Sequence, residues 1–462
     1  MIAVEKTQPS LDSRVSFSQG NIFNNTAIGM GTEIIAYILS FLSSILVARA
    51  LGPASRGSFA IVCLITSYLV MFFTFGTTAA AQIQLAKKEH TIAGIHTFAL
   101  AYSIFVCMAS LILFLLAKTW LLASFLKNID PRFCFIAVVL VPFALYSTLA
   151  NQIMLGINHI PMMSTFKLIK TFTDLFGVLV FLWMLTLGLS GAVIAWGGSL
   201  IVSVFLQCFW LLKLSGWQIK FNRDVVRKTI TFGGKIHLAF LPAAAILMMD
   251  SFLLNHFRGT REVGLYAVAY SLMYKIAILF TALQNAAQAR IIGEKLDTAI
   301  PLVRRLIRQS VFVAVFFALC LSVFGQPFIR LIYGEAYERS GIVLAFLSVG
   351  MVSLTVTNFL HLFVVGQLKK PSVSAAINWS VFLLGLVLFF LLIPRYGLVG
   401  TALASSLIFF AQMVGYLCLI RWTSPSILRE TLLIQKSDFA IFYDRLSTWR
   451  VDLMEKFASD ER

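Results

Sequence analysis

Arg49-Ala-Leu-Gly52-Pro-Ala-Ser-Arg-Gly57-Ser-Phe59-Ala60 follows the first long apolar run of the chain, and Gly259-Thr-Arg-Glu-Val-Gly264-Leu-Tyr266-Ala267 follows the seventh. Both read glycine, four residues, glycine, one residue, an aromatic ring and alanine, and Gly259 lies 207 residues after Gly52. Two further landmarks keep the register. Leu155-Gly156 ahead of Pro161 is matched by Val365-Gly366 ahead of Pro371, 210 residues on, and Gly188-Leu-Ser-Gly191-Ala192 by Gly397-Leu-Val-Gly400-Thr401-Ala402, 209 residues on. Glycines recur at helix ends for reasons of turn geometry alone. A constant offset with the same aromatic-alanine continuation makes this an internal repeat of about 208 residues.

The solvent of that repeat is a bilayer. Of the 462 residues, 59% are hydrophobic and 12% charged, and 42 phenylalanines outnumber the 20 acidic side chains. An ordinary soluble domain carries about 25% charge. Apolar runs near 20 residues, the length that crosses a hydrocarbon core of about 30 Å, occur over 22–48, 58–82, 95–117, 132–156, 163–187, 189–213, 232–257, 264–292, 306–332, 341–366, 372–393 and 398–421. The fold class expected is therefore all-α integral membrane, with about 12 transmembrane helices. Six crossings per repeat is an even number, so the copies are parallel, and two six-helix lobes around a central cavity follow.

The lobes are expected at 22–213 (helices 1–6) and 232–421 (helices 7–12), joined by a basic linker at 214–231 and flanked by tails at 1–21 and 422–462. Of the 37 Lys and Arg, 26 fall on the side of the two tails and 10 on the other, with Lys275 alone inside a span. That asymmetry places both termini in the cytoplasm. The net charge of +17 then reports cytoplasmic loops, not nucleic acid. In the last tail Leu446, Trp449, Leu453 and Phe457 recur at helical spacing among Arg445, Arg450 and Lys456, the pattern of an amphipathic helix on the inner leaflet or on a partner protein. Val225, Val226 and Ile230 of the linker suggest a second, short interfacial helix facing lipid.

Several chemistries are excluded. No G-x-x-x-x-G-K-[ST] occurs, and Gly233-Gly-Lys235-Ile lacks its spacing, so no nucleotide site is expected. The six histidines and six cysteines show no metal-ligand spacing. The loops opposite the tails are too short for the catalytic groups of a glycan transferase, so the chain is not expected to be an enzyme.

The stretch from Arg49 to Ala60 resembles the AR-x-LGP-x-x-x-G-x-[FY]-A signature of the polysaccharide transporter family, the O-antigen and lipid-linked oligosaccharide flippases. Asp250, Leu253-Leu254, Gly259, Val263-Gly264 and Tyr266 resemble a second pattern of that family. The likeness covers residues 20 to 421. It implies membership of the multidrug/oligosaccharidyl-lipid/polysaccharide exporter superfamily and transport of an undecaprenyl-diphosphate-linked oligosaccharide across the bacterial inner membrane by alternating access. The expected partners are that lipid-linked oligosaccharide, the bilayer and other polysaccharide-assembly proteins. No cofactor is implied, although an H+ or Na+ gradient is a possible drive. A cation-coupled multidrug antiporter, a flippase of the peptidoglycan precursor and a membrane glycan transferase are the competing readings.

Ionisable groups inside a bilayer cost roughly 2.5 to 3.5 kcal/mol on insertion scales, so each needs a reason. Lys275 lies deepest, with Tyr270 and Tyr274 nearby on its helix. Arg49, Lys170 and Arg290 complete a set of cations suited to a pyrophosphate. In span one Glu33 shares a polar stripe with Tyr37, Ser40 and Ser44, and in span five Asp174 follows Lys170 at i, i+4. Asp250 stands near the end of span seven, where Arg258, Arg261 or Lys275 can pair with it. Glu33, Asp174 and Asp250 are expected either to take a coupling ion or to lock the lobes. The amides and rings of span eight serve equally well as interhelical hydrogen-bond partners.

Overall fold

Gly52 has φ 69° and ψ 173°, and Gly259 has φ 84° and ψ 177°. This backbone region is open essentially to glycine alone, so the first glycine of each repeat turns the chain between two crossings without a loop. The computed structural model describes residues 22–293 and 296–423. Its α-helices are α1 (Ile22–Phe73), α2 (Thr77–Ala86), α3 (Ile92–Ala123), α4 (Pro131–Val139), α5 (Val141–Gly156), α6 (Ile160–Val178), α7 (Gly188–Leu214), α8 (Arg223–Arg258), α9 (Thr260–Gly293), α10 (Leu296–Tyr333), α11 (Ser340–Leu362) and α12 (Pro371–Thr423). No strand occurs among the described residues.

Twelve crossings follow from these elements. Among the described residues, eight helical stretches are long and apolar enough to span a membrane. Two of them, Gly31–Phe73 and Pro371–Trp422, run 43 and 52 residues, twice the length of one crossing. Each is bent where the sequence demands it: α1 at Gly52-Pro53, α12 at Pro394 and Gly397, the latter with φ 55°. The helices α6 and α8 complete the set. Lys167, Lys170 and Asp174 make α6 too charged to register as a span on hydropathy alone, which is itself a pointer to function.

Apolar packing is continuous at one end of the molecule and divided at the other. Near Gly52, one core joins the first repeat (Val47, Phe59, Ile65, Leu126) to the second (Leu253, Tyr266, Tyr333, Leu347). At the opposite end the cores are separate, one around Leu85, Phe98, Leu149 and Phe166 and one around Ile291, Ile307, Phe359 and Tyr416. Two bundles fused at the Gly52 end have separate cores beyond it, where α8 keeps contact with the first bundle through Gly233 against Gly76 and Thr229 against Gln84, and a cleft lies between them.

The repeat extends into polar detail. Gln207 donates to Asn151 at 3.4 Å within the first bundle, and at the matching positions of the second His361 meets Tyr416 at 2.9 Å.

Two expectations change. The linker is helical from Arg223, and Val225 is buried against the first bundle instead of facing lipid, because α8 runs on to pack against α2 and α3. The anticipated loops after spans one, seven and eleven shrink to single glycine turns. The tails 1–21 and 424–462, with Leu446, Trp449, Leu453 and Phe457, lie outside the described residues.

Candidate functional site

The closed end is built from the repeat itself. A Cβ on Gly57 would meet Thr260 O at 1.7 Å, and one on Gly264 would meet Pro53 O at 1.9 Å. The two copies of the motif thus cross backbone to backbone and reciprocally, at a separation only glycine permits. Around this crossing, side chains from each bundle donate to backbone oxygens of the other. Arg49 Nε and Nη2 reach Ile332 O and Leu331 O at 2.7 and 2.8 Å, satisfying carbonyls that the end of α10 leaves free. His256 Nδ1, 207 positions after Arg49, lies 3.0 Å from Ser124 O at the end of α3. Asn255 donates to Phe125 O at 2.7 Å and Lys127 O at 3.2 Å, and Tyr337 to Ala48 O at 2.9 Å.

Below the seal lies a cluster of charges. Arg56 projects from the second arm of α1, with Cζ 5.5 Å from the Phe59 ring centroid. It is within electrostatic reach of Asp174 on α6 and of Lys275 on α9. Lys170 is within reach of Asp174 and Cys63, and Ser43 Oγ donates to Asp174 Oδ2 at 2.6 Å. Arg56 and Lys170 therefore share one carboxylate, and Lys275 stands within electrostatic reach of Arg56. The Arg56 Nε is buried and has no hydrogen-bond partner, and no described carboxylate pairs with Lys275. Buried cationic donors without acceptors carry an uncompensated desolvation cost, which an anionic ligand would offset.

Toward the parted end, Lys167 Nζ sits 2.5 Å from Glu33 Oε2 and 4.6 Å above the Tyr37 ring. Their side chains are 40% and 30% exposed. An ion pair held inside a membrane protein at that exposure faces a wet cleft, because lipid would expel it. Glu33, Tyr37, Lys167, Lys170, Asp174, Arg56 and Lys275 thus line one interior.

The remaining expected residues fall elsewhere. Arg49 belongs to the seal. Asp250 is 3% exposed and accepts from Tyr266 OH at 2.6 Å and from Ser251 N and Oγ at 2.5 and 3.0 Å. Tyr266 also meets Ser405 Oγ at 3.1 Å, so this network pins α8, α9 and α12 together inside the second bundle. It pairs with none of Arg258, Arg261 and Lys275. Arg258 Nη2 instead reaches Pro394 O at 2.5 Å, at the bend of α12. Tyr266, Tyr270 and Tyr274 stack along α9 with centroids 5.8 and 6.2 Å apart, ending at the half-exposed Tyr274. The side chain of Arg290 lies outside the described residues.

Arg56 is a site residue that the sequence alone does not single out, because it stands between the first two apolar runs, where a cation is ordinary. A signal was present: its partner in the repeat is Val263, wholly buried in the core. A charge standing where the other copy places valine marks a break in the symmetry.

Twelve crossings in two parallel bundles, closed at one end above a charged interior, define a multi-pass membrane protein of two helical lobes. The chain belongs to the family described as polysaccharide biosynthesis protein, whose model matches residues 46–342. A Shigella flexneri protein named as a candidate O-antigen transporter is 20% identical over 411 residues, covering 85% of this chain and 95% of its own. The fold is shared with the lipid II flippase MurJ in an inward closed conformation (13% identity, TM-score 0.68, 86% of this chain and 87% of that one). It is shared too with an inward-facing multidrug resistance MATE family transporter (16%, 0.63, 85% and 94%).

Proposed function

We propose that this protein moves an undecaprenyl-diphosphate-linked oligosaccharide from the inner to the outer leaflet of the bacterial inner membrane by alternating access. The observation that carries the reading is the pair Arg56 and Lys170 around the single carboxylate of Asp174, with Lys275 within electrostatic reach of Arg56 and the Arg56 Nε buried and without an acceptor. A pyrophosphate offers several anionic oxygens, and guanidinium and ammonium donors in a low-dielectric cleft are the groups that hold it. The glycan would occupy the wet region between Glu33–Lys167 and the Tyr270–Tyr274 face, with hydroxyls and rings for partners. The lobes are 22–213 and 232–421, with both termini cytoplasmic and the Gly52 end outside, so the form described here is closed to the exterior.

Alternating access requires the outer seal to break. Its six side chain-to-carbonyl bonds are worth about 1 kcal/mol each. Together they approach the ~5.5 kcal/mol of differential affinity that carries a two-state equilibrium from 1:99 to 99:1. Substrate binding and an H+ or Na+ gradient taken up at Glu33 or Asp174 are forces of that size.

A cation-coupled multidrug antiporter is the second reading, favoured by the carboxylate of Glu33 on the first crossing. Deletion of the gene separates the two. Loss of surface polysaccharide with lipid-linked units accumulating in the inner leaflet supports the flippase; unchanged polysaccharide with new drug sensitivity supports the antiporter.

A further inference from the structure

A cavity of about 280 Å³ lies apart from the charged cleft, between the bundles on the α3–α8 flank. Tyr68 and Phe114 come from the first bundle, Met249 and Phe252 from the second, and Trp120 and Phe125 stand where α3 ends. The Tyr68 ring meets Phe252 edge to face at 5.5 Å, and its hydroxyl turns to Ala245 O, so rings and not polar atoms form the wall. Phe252 and Met249 precede Gly259 by seven and ten residues, roughly 10 and 15 Å along a helix at about 1.5 Å per residue. The cavity therefore sits in the hydrocarbon half next to the Gly52 end, where an aqueous solute has no access.

We infer that this cavity receives a segment of the isoprenoid chain of the lipid carrier while the bundles are closed at the Gly52 end. The inference rests on the flippase reading above. Five aromatic rings line the space. Isoprenoid chains present flat trisubstituted double bonds and methyl groups that lie against ring faces, whereas a saturated acyl chain has no flat face to match. Its size, just below the roughly 300 Å³ at which small-molecule pockets begin, suits a few isoprene units and not a whole lipid. The walls belong to both bundles, and the Phe125 carbonyl at the rim accepts from Asn255 of the seal. A chain lodged here holds the closed form and is released when the seal parts.

The test uses the full chain in phosphatidylethanolamine–phosphatidylglycerol vesicles with undecaprenyl-diphosphate N-acetylglucosamine carrying a diazirine on its chain. Irradiation is expected to label the peptides containing Leu113–Leu126 and Met249–Phe252, and excess undecaprenyl diphosphate to reduce that labelling at least tenfold. Met249→Trp, which fills the space, and Leu113→Trp at its rim should each reduce it by a similar factor. Equal labelling by diazirine-bearing phosphatidylglycerol, without competition, would assign the cavity to ordinary lipid and overturn the inference. Flipping by the wild type with these peptides unlabelled would overturn it while leaving the flippase reading intact. A wild type that flips nothing would remove both.

Discussion

Gly57 and Gly264 occupy equivalent places in the two repeats and cross backbone to backbone, the space a side chain on either would need being filled by the backbone of the other's segment. The motif that reveals the repeat in the sequence is thus also the surface on which the repeats meet. A methyl group at either position has backbone as its obstacle and nowhere to go.

Gly57→Ala and Gly264→Ala are expected to destabilise the closed form by about 1–3 kcal/mol, the cost of forcing atoms into a packed contact. Gly198→Ala, whose Cβ meets nothing within 4 Å, should be silent. Thermal unfolding in detergent reads the difference, and an unchanged Tm for Gly57→Ala would contradict the crossing.

Breaking the seal should open the Gly52 end. In a background where Cys63 is the sole cysteine, Arg49→Ala combined with His256→Ala is expected to raise labelling of Cys63 from the outer side by a membrane-impermeant maleimide several-fold. Cys63 is the reporter because it lies among Arg56, Asp174 and Lys170. Labelling at the wild-type rate would show that these two residues do not hold the end shut.

The charge of the cluster should matter more than its shape. Lys275→Ala and Arg56→Ala are expected to insert normally and to lose export, while Lys275→Arg retains part of it. Surface polysaccharide in a deletion strain, normalised to membrane protein level, measures this. Full export by either alanine variant would remove that residue from the site.

Glu33 and Lys167 are only part-buried, so their attraction contributes little to stability, about 0–1 kcal/mol. Glu33→Gln should leave Tm within a degree or two and, if this carboxylate takes the coupling ion, abolish the response of transport to a pH or Na+ gradient. Asp250→Ala should do the reverse. It removes one of the two partners of the Tyr266 hydroxyl, leaving Ser405, and costs about 0.5–1.5 kcal/mol, with the gradient response retained by whatever protein folds.

Much of this architecture is legible in the residues. The offset from Gly52 to Gly259 carries the two bundles, and Lys167, Lys170 and Asp174 on one helix carry the charged interior. Side-chain destinations are less so. Arg49 and Arg56 both stand near Gly52, yet one reaches up to carbonyls of α10 and the other down to Asp174, because the glycine turn reverses the chain between them. Asp250 looks like a cleft carboxylate until Tyr266, sixteen residues on, is seen to face it across two helices. Such choices depend on how helices rotate against each other, which periodicity alone leaves open.

The most direct test is translocation by the purified protein in liposomes, using a fluorescent undecaprenyl-diphosphate oligosaccharide with and without an H+ or Na+ gradient. Gradient-sensitive flipping by the wild type, lost in Lys275→Ala and Arg56→Ala, is the predicted result. Gradient-driven efflux of a cationic dye, with no glycan lipid flipped by the same preparation, would contradict it.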